Sequence, residues 1–194
     1  YARMLGWSLS LGTLEVTDDS IYKFRSEYSE SVEFHQINTK YFIDKMPHNF
    51  QMLPLLSKSF PNAHFLHVKR DRAATCWSNY RNYFTGSALA YSNCLDDIIE
   101  YYDLYEDLMA LYINTLNIKC TFIDYEKLVA NPRPEIALLL NNLNLPWDVN
   151  CLTPEKNTSV VQTASQNQVR RKIYQGSSKN WMDYSKHLAQ YAMF

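Results

Sequence analysis

The sequence is poor in glycine. It has four, Gly6, Gly12, Gly86 and Gly176, and none sits in a glycine-rich phosphate loop, so the loop by which Walker-type kinases hold a nucleotide is missing. The four cysteines, Cys76, Cys94, Cys120 and Cys151, show no CxxC spacing and no paired Cys/His pattern. That argues against a zinc site and against a disulfide framework. Net charge is -1, which leaves no bulk electrostatic case for nucleic-acid or membrane binding. No apolar run is long enough to cross a bilayer, and no signal-like segment is visible. These absences favour a soluble protein, with the cytoplasm ahead of other compartments. Methionine is missing from the first position. The chain starts at Tyr1, as a fragment or a processed chain does.

What is present is ordinary globular material: 46 % hydrophobic residues, in a length suited to one domain, 1–194. Thr17-Asp18-Asp19-Ser20 supplies N-cap residues for a helix with Ile21, Phe24, Tyr28 and Val32 on one face. "KYFIDK" reads as a strand, and "NFQMLPLLSKSF" as a short helix kinked at Pro54. "HFLHVKR" reads as a second strand and "RAATCWSNYRNYF" as a helix. "TGSALAYSNC" is a loop, and a long amphipathic helix follows from Leu95 to Leu116. "KCTFIDYE" is a third strand, and "PRPEIALLLNNLNL" a helix entered through two prolines. Residues 146–178 are polar and aperiodic, a length of loop that is either functional or disordered. A closing helix is expected from about Lys179 to Ala192. Residues 1–16 hold two candidate short strands, "WSLSL" and "TLEVT". Trp77, Trp147 and Trp181 read as core. The alternation of strands and helices predicts an α/β domain with a parallel sheet flanked by helices.

In such sheets ligands bind beyond the carboxyl ends of the strands. The three expected strands end at Lys45, Arg70 and Tyr125. Arg70 precedes a helix whose first turn offers N–H groups and a positive dipole end, and Ser78 lies about two turns in. Arginine also grips an anion bidentately. Each residue has a plainer reading. Arg70 could instead pair with the adjacent Asp71. Lys45 could be a snorkelling edge residue, and Tyr125 a tyrosine at the core rim. The run from Ser165 to Ser178, with Gln168, Arg170, Arg171 and Lys172, is either a solvated loop or the cover of a bound anion. The basic clusters are short, which suits a small anionic ligand better than a polymer.

Five stretches in order, "DKMPHNF", "FPNAHFLHVKRDRAATCWSNY", "FIDYEKLVANP", "LNLPW" and "TASQNQVRRKIYQGSSKNW", resemble the sulfotransferases. The branch they resemble is the bacterial and TPR-linked one related to the tyrosylprotein sulfotransferases. The resemblance implies a P-loop NTPase-like fold. It also implies transfer of a sulfuryl group from 3'-phosphoadenosine 5'-phosphosulfate (PAPS) to a hydroxyl or amine, without a metal. By the same resemblance Arg70 and Ser78 hold the 3'-phosphate and Tyr125 lies by the adenine. Ser165, Gln168 and Tyr174 belong to a loop that closes over the nucleotide. Lys45 faces the bridging oxygen of the phosphosulfate, where a fixed ammonium stabilises the charge that develops on the leaving group.

The family opens with a strand and a "PxSGTT"-like phosphosulfate loop, followed by a helix that carries a glutamate base in this branch. The first sixteen residues do not match that pattern. The expectation is therefore the C-terminal two-thirds of a sulfotransferase domain, N-terminally incomplete and inactive as an isolated chain. Its open sheet edges would pair with a second copy, giving a homo-oligomer, or with a strand borrowed from residues 1–16. The partners implied are the nucleotide co-substrate and an acceptor that the sequence does not name. Two alternatives stand beside this. One is a non-catalytic 3'-phosphonucleotide-binding or interaction module. The other is a nucleoside kinase-like phosphotransferase, against which "DKMP" and the RDxxxTxxS spacing argue.

Overall fold

The computed structural model describes residues 17–34, 39–84, 87–157 and 170–191. Residues 1–16, with both candidate N-terminal strands, and Ser165 and Gln168 of the late loop lie outside the described residues. The chain divides into two compact units. One takes the described residues up to Ala63 together with Tyr105–Lys119; the other takes His64–Leu104 and the described residues from Cys120 onward.

The first unit begins with helix α1, Asp18–Phe34. Its start is fixed by a reciprocal pair. The Ser20 backbone N–H donates to Thr17 Oγ1 at 3.2 Å, and the Thr17 N–H donates to Ser20 Oγ at 2.9 Å. Asp18 and Asp19 place negative charge in the first turn, where the helix dipole favours it. The expected apolar face is used: Phe24 is 2 % exposed and packs with Ile21 and Tyr28 against Leu55, Met52, Leu56 and Phe60. The predicted kinked helix at 49–60 is instead two elements, a 3-10 helix at Pro47–Met52 and α2 at Leu53–Ser59. Each proline stands in the first turn of its own helix, where a missing N–H costs nothing.

The strand predicted at "KYFIDK" is not formed. Residues 41–46 carry no strand, and Tyr41 and Ile43 are 59 % and 89 % exposed. A strand exists only when a neighbour takes its N–H and C=O groups. Among the described residues no other segment pairs with this one.

The second unit holds the sheet. β1, Phe65–Lys69, and β2, Cys120–Asp124, run parallel with Phe65 opposite Cys120 and Lys69 opposite Asp124. β2 stops at Asp124, one residue short of the predicted end. The Asp124 carboxylate accepts the Lys127 N–H at 2.9 Å and so starts a helix instead. α3, Arg72–Tyr80, follows β1 and buries Ala73, Ala74 and Cys76. A 3-10 segment, Ser87–Asn93, stands where a loop was expected. α4, Leu95–Asn114, carries a stripe of buried Leu95, Ile98, Tyr102, Met109 and Tyr112 at helical spacing and contributes to both units. α5, Tyr125–Ala130, and α6, Pro132–Asn142, follow β2.

The closing helix is shorter than predicted. Two 3-10 turns, Ser177–Lys179 and Met182–Tyr184, precede α7, Ser185–Leu188. Asn180, Asp183 and Ser185 offer the backbone local alternatives to a continuous helix. Trp147, predicted as core, is 39 % exposed, with the Arg133 guanidinium 5.3 Å over its ring. All four cysteines are free thiols. Cys76 is fully buried, Cys120 half-buried, and Cys94 and Cys151 are exposed. The architecture is mixed α/β, a small parallel two-stranded sheet flanked by helices.

Candidate functional site

The register of the two strands sets the site. Because Lys69 lies opposite Asp124, the next residues, Arg70 and Tyr125, leave the sheet at the same height. They meet: the Arg70 guanidinium sits 5.2 Å from the centre of the Tyr125 ring, a cation–π distance. The alternative reading, a local ion pair between Arg70 and Asp71, is not what holds either residue. Asp71 caps α3 by accepting the Ala74 N–H at 2.7 Å, so a carboxylate already occupies the start of that helix.

Arg70 reaches across the sequence instead. Its Nη2 donates to the Ser177 carbonyl at 2.7 Å and its Nε donates to Ser178 Oγ at 3.2 Å. The Tyr125 hydroxyl is 2.9 Å from Ser177 Oγ. Ser178 Oγ in turn donates to Glu126 Oε1 at 2.5 Å, and the same carboxylate oxygen accepts the Asp71 N–H at 3.2 Å. Gly176 makes this approach possible, since its φ of 98° is a left-handed conformation open to glycine. Trp77 of α3 lies against Tyr184 at 4.6 Å between ring centres, which docks the late segment on the helix that follows Arg70.

Of the predicted site residues, the structure brings Arg70 and Tyr125 into contact. Ser78 lies half-buried on α3, and its backbone carbonyl accepts the Asn82 side-chain amide; Arg70 bonds to Ser177 and Ser178 rather than to it. Tyr174 is largely exposed on the approach to Gly176. Lys45 belongs to the first unit, where it is exposed between Asp44 and Met46. It does not end a strand, so the sheet-edge argument that selected it fails. Ser177, Ser178 and Glu126 were missed as site residues. The signal available was the polar run ending at Ser178, which marked a segment but not its partners. An open concavity of about 450 Å³, lined by Pro132, Leu152, Thr153, Lys156, Lys172 and Ile173 among others, shares no lining residue with the Arg70 cluster. Among the described residues no group of three or more His, Cys, Asp or Glu is placed to hold a metal. No described helix is long and apolar enough to cross a membrane.

A model of the family described as "Sulfotransferase family" matches residues 12–149, a span that contains Lys45, Arg70, Ser78 and Tyr125. The chain belongs to the sulfotransferase family. Relatives of this sulfotransferase chain include an uncharacterized protein of Aquifex aeolicus, 32 % identical over 75 % of the chain and 19 % of the relative. Protein-tyrosine sulfotransferase 1 of Danio rerio is 28 % identical over 70 % of the chain and 37 % of its own length. A putative protein-tyrosine sulfotransferase of Caenorhabditis elegans is 26 % identical over 88 % of the chain and 66 % of its own length. The chain thus spans between about a fifth and two thirds of the relatives it matches.

Proposed function

We propose that this chain is the nucleotide-holding portion of a PAPS-dependent sulfotransferase, with Arg70 and Ser78 taking the 3'-phosphate. The observation that carries the reading is the Arg70 cluster: a half-buried guanidinium at a strand end, set against a phenol and met by two serines from late in the chain. These residues fit a phosphate. The cation is planar, with five N–H donors of which the Ser177 carbonyl and the Ser178 hydroxyl engage two; the Tyr125 and Ser177 hydroxyls are hydrogen-bonded to each other, and the Glu126 carboxylate is taken up by Ser178.

Tyr125 is assigned to the adenine side. Ser165, Gln168 and Tyr174 are assigned to the cover over the nucleotide, and Lys45 to the leaving oxygen. When bound, PAPS supplies a sulfuryl group whose bond to the phosphate oxygen breaks as one to the acceptor oxygen or nitrogen forms. The Lys45 ammonium would stabilise the negative charge gathering on that phosphate oxygen. The acceptor class is a hydroxyl or amine, and the names of two relatives make a tyrosine phenol the first to test. On this reading residues 1–194 are part of one domain of P-loop NTPase-like build. The isolated chain binds its nucleotide weakly, transfers almost nothing and self-associates through open sheet edges.

Calorimetry with 3'-phosphoadenosine 5'-phosphate against AMP tests the reading. A clear preference for the 3'-phosphorylated nucleotide is expected. Arg70→Ala should weaken it by about 2 kcal/mol, roughly thirtyfold. Equal binding of AMP removes the assignment. Binding without transfer of labelled sulfate, even in the longest natural polypeptide that contains this chain, would mark a non-catalytic module instead.

A further inference from the structure

Lys45 is mounted from both sides. On one side, Asp44 Oδ2 accepts the Tyr28 hydroxyl at 2.9 Å and the Asn49 side-chain amide at 3.4 Å. On the other side, the Asn49 backbone N–H donates to the Met46 carbonyl at 3.0 Å. Asn49 therefore holds both sequence neighbours of Lys45, and Pro47 fixes the backbone just beyond them. Tyr28 is itself held, with its ring 6.1 Å from Phe24 and 4.9 Å from Phe60 in the buried face of α1. Burial, and then the bond and charge of Asp44, push the Tyr28 phenol well above its ordinary pKa, so it stays a donor.

At the other end of the segment the Thr39 hydroxyl donates to the Tyr41 carbonyl at 2.6 Å, a bond between near neighbours in sequence. Residues 41–46 carry no strand, and Tyr41, Phe42 and Ile43 are exposed, so neither a ladder nor apolar burial fixes the backbone here. The bonds to Asp44 and Met46 do.

We propose that Tyr28 and Asn49 are positioning residues for sulfuryl transfer: acting through Asp44 and the Met46 carbonyl, they fix the backbone from which the Lys45 side chain extends. The inference rests on the reading of Lys45 given above. Its physical basis is that a displacement of about 1 Å in a reacting group can cost on the order of a hundredfold in rate. Tyr28→Phe removes one hydroxyl and keeps the ring in the α1 core, so it tests the bond without emptying the packing.

The experiment has two arms. In the first, hydrogen exchange is followed over residues 44–49 in the wild type, Tyr28→Phe and Asn49→Ala. Both variants should exchange faster there, most of all at the Asn49 amide. In the second, transfer of labelled sulfate from PAPS to a tyrosyl peptide is measured in the longest natural polypeptide that contains this chain. Tyr28→Phe should lower kcat by about tenfold with the KM for PAPS within about twofold. Adding Tyr28→Phe to Lys45→Ala should cost nothing further. Asp44→Asn, which keeps an accepting oxygen, should retain most of the turnover that Asp44→Ala loses. The exchange arm needs no acceptor and so is independent of that choice.

Unchanged exchange at 44–49 overturns the clamp. Faster exchange with wild-type turnover in Tyr28→Phe, while Lys45→Ala is impaired, overturns positioning and leaves the Lys45 reading intact. An additive loss in the double variant also overturns it. If Lys45→Ala changes neither turnover nor affinity, the Lys45 reading fails and positioning with it, and the bonds to Asp44 are then structural only.

Discussion

"FLHVK" at 65–69 and "YFIDK" at 41–45 are each a five-residue stretch with three apolar residues and a closing lysine. The first is β1; the second is exposed backbone with no strand. The difference lies 51 residues or more downstream of β1, in Cys120–Asp124, which takes up the hydrogen bonds of one and not of the other. Strand propensity is a statement about fitting a pleated, paired surface, and the partner is not written in the segment itself. The backbone leading to Arg70 is held by a ladder, whereas the backbone on either side of Lys45 is held by three hydrogen bonds to Asp44 and Met46.

The largest expected effect on this contrast comes from the packing around Tyr28. Phe24→Ala should lower stability by about 3–5 kcal/mol, read in urea denaturation, because Phe24 is buried at the centre of the α1–α2 cluster. A loss under about 1 kcal/mol would show that the cluster is not what carries α1. Next is Lys45→Ala. In the longest natural polypeptide it should reduce turnover on the order of a hundredfold while changing nucleotide affinity far less. A loss confined to affinity would recast Lys45 as a binding residue.

Smaller is the cap at the Arg70 side. Asp71→Ala removes the acceptor of the Ala74 N–H and should cost about 1 kcal/mol, with faster exchange in the first turn of α3.

The smallest effects separate the two regions by pH. His67 of β1 has its pKa lowered, by burial first and by Lys69 second. The unfolded chain therefore takes up the proton first, and stability present above about pH 6.5 is lost as pH falls below it. Tyr28 has its pKa raised. The unfolded chain gives up that proton first, so stability present below about pH 10 is lost as pH climbs above it, with Tyr91 and Tyr112, also raised, adding to the same limb. His67→Gln should flatten the acid side of a stability–pH curve and Tyr28→Phe part of the alkaline side. If each substitution moved the other limb, the assignment of the two groups would be wrong.

Much of the fold was legible where the information is local. The Thr17–Ser20 cap announced α1, the apolar spacing from Leu95 announced α4, and the β-branched and aromatic runs announced β1 and β2. The site was legible only in part. Arg70 and Tyr125 could be chosen because each stands at the end of a strand, and the register brings them together. Ser177 and Ser178 could not, because their bonds to Arg70 join residues 107 and 108 apart. Glu126 was hidden for the same reason, since its partners are Asp71 and Ser178. The missing strand at 40–45 and the divided closing helix mark the opposite limit, where a local pattern was clear and its context overruled it.

The distance in sequence between Arg70 and Ser177 also sets an order in time. A ribosome adds residues one after another, at roughly 5–20 per second. The 107 residues between the two ends of that bond therefore take roughly 5–20 s to make. For that interval residues 65–80 are on the nascent chain with an arginine whose two hydrogen-bond acceptors, on Ser177 and Ser178, have not been synthesised. β2 arrives about midway and can pair with β1, but the guanidinium gains its carbonyl and hydroxyl acceptors only once Ser177 and Ser178 are added. A chain cut short before Gly176 would carry both strands and lack the contacts that complete the Arg70 cluster.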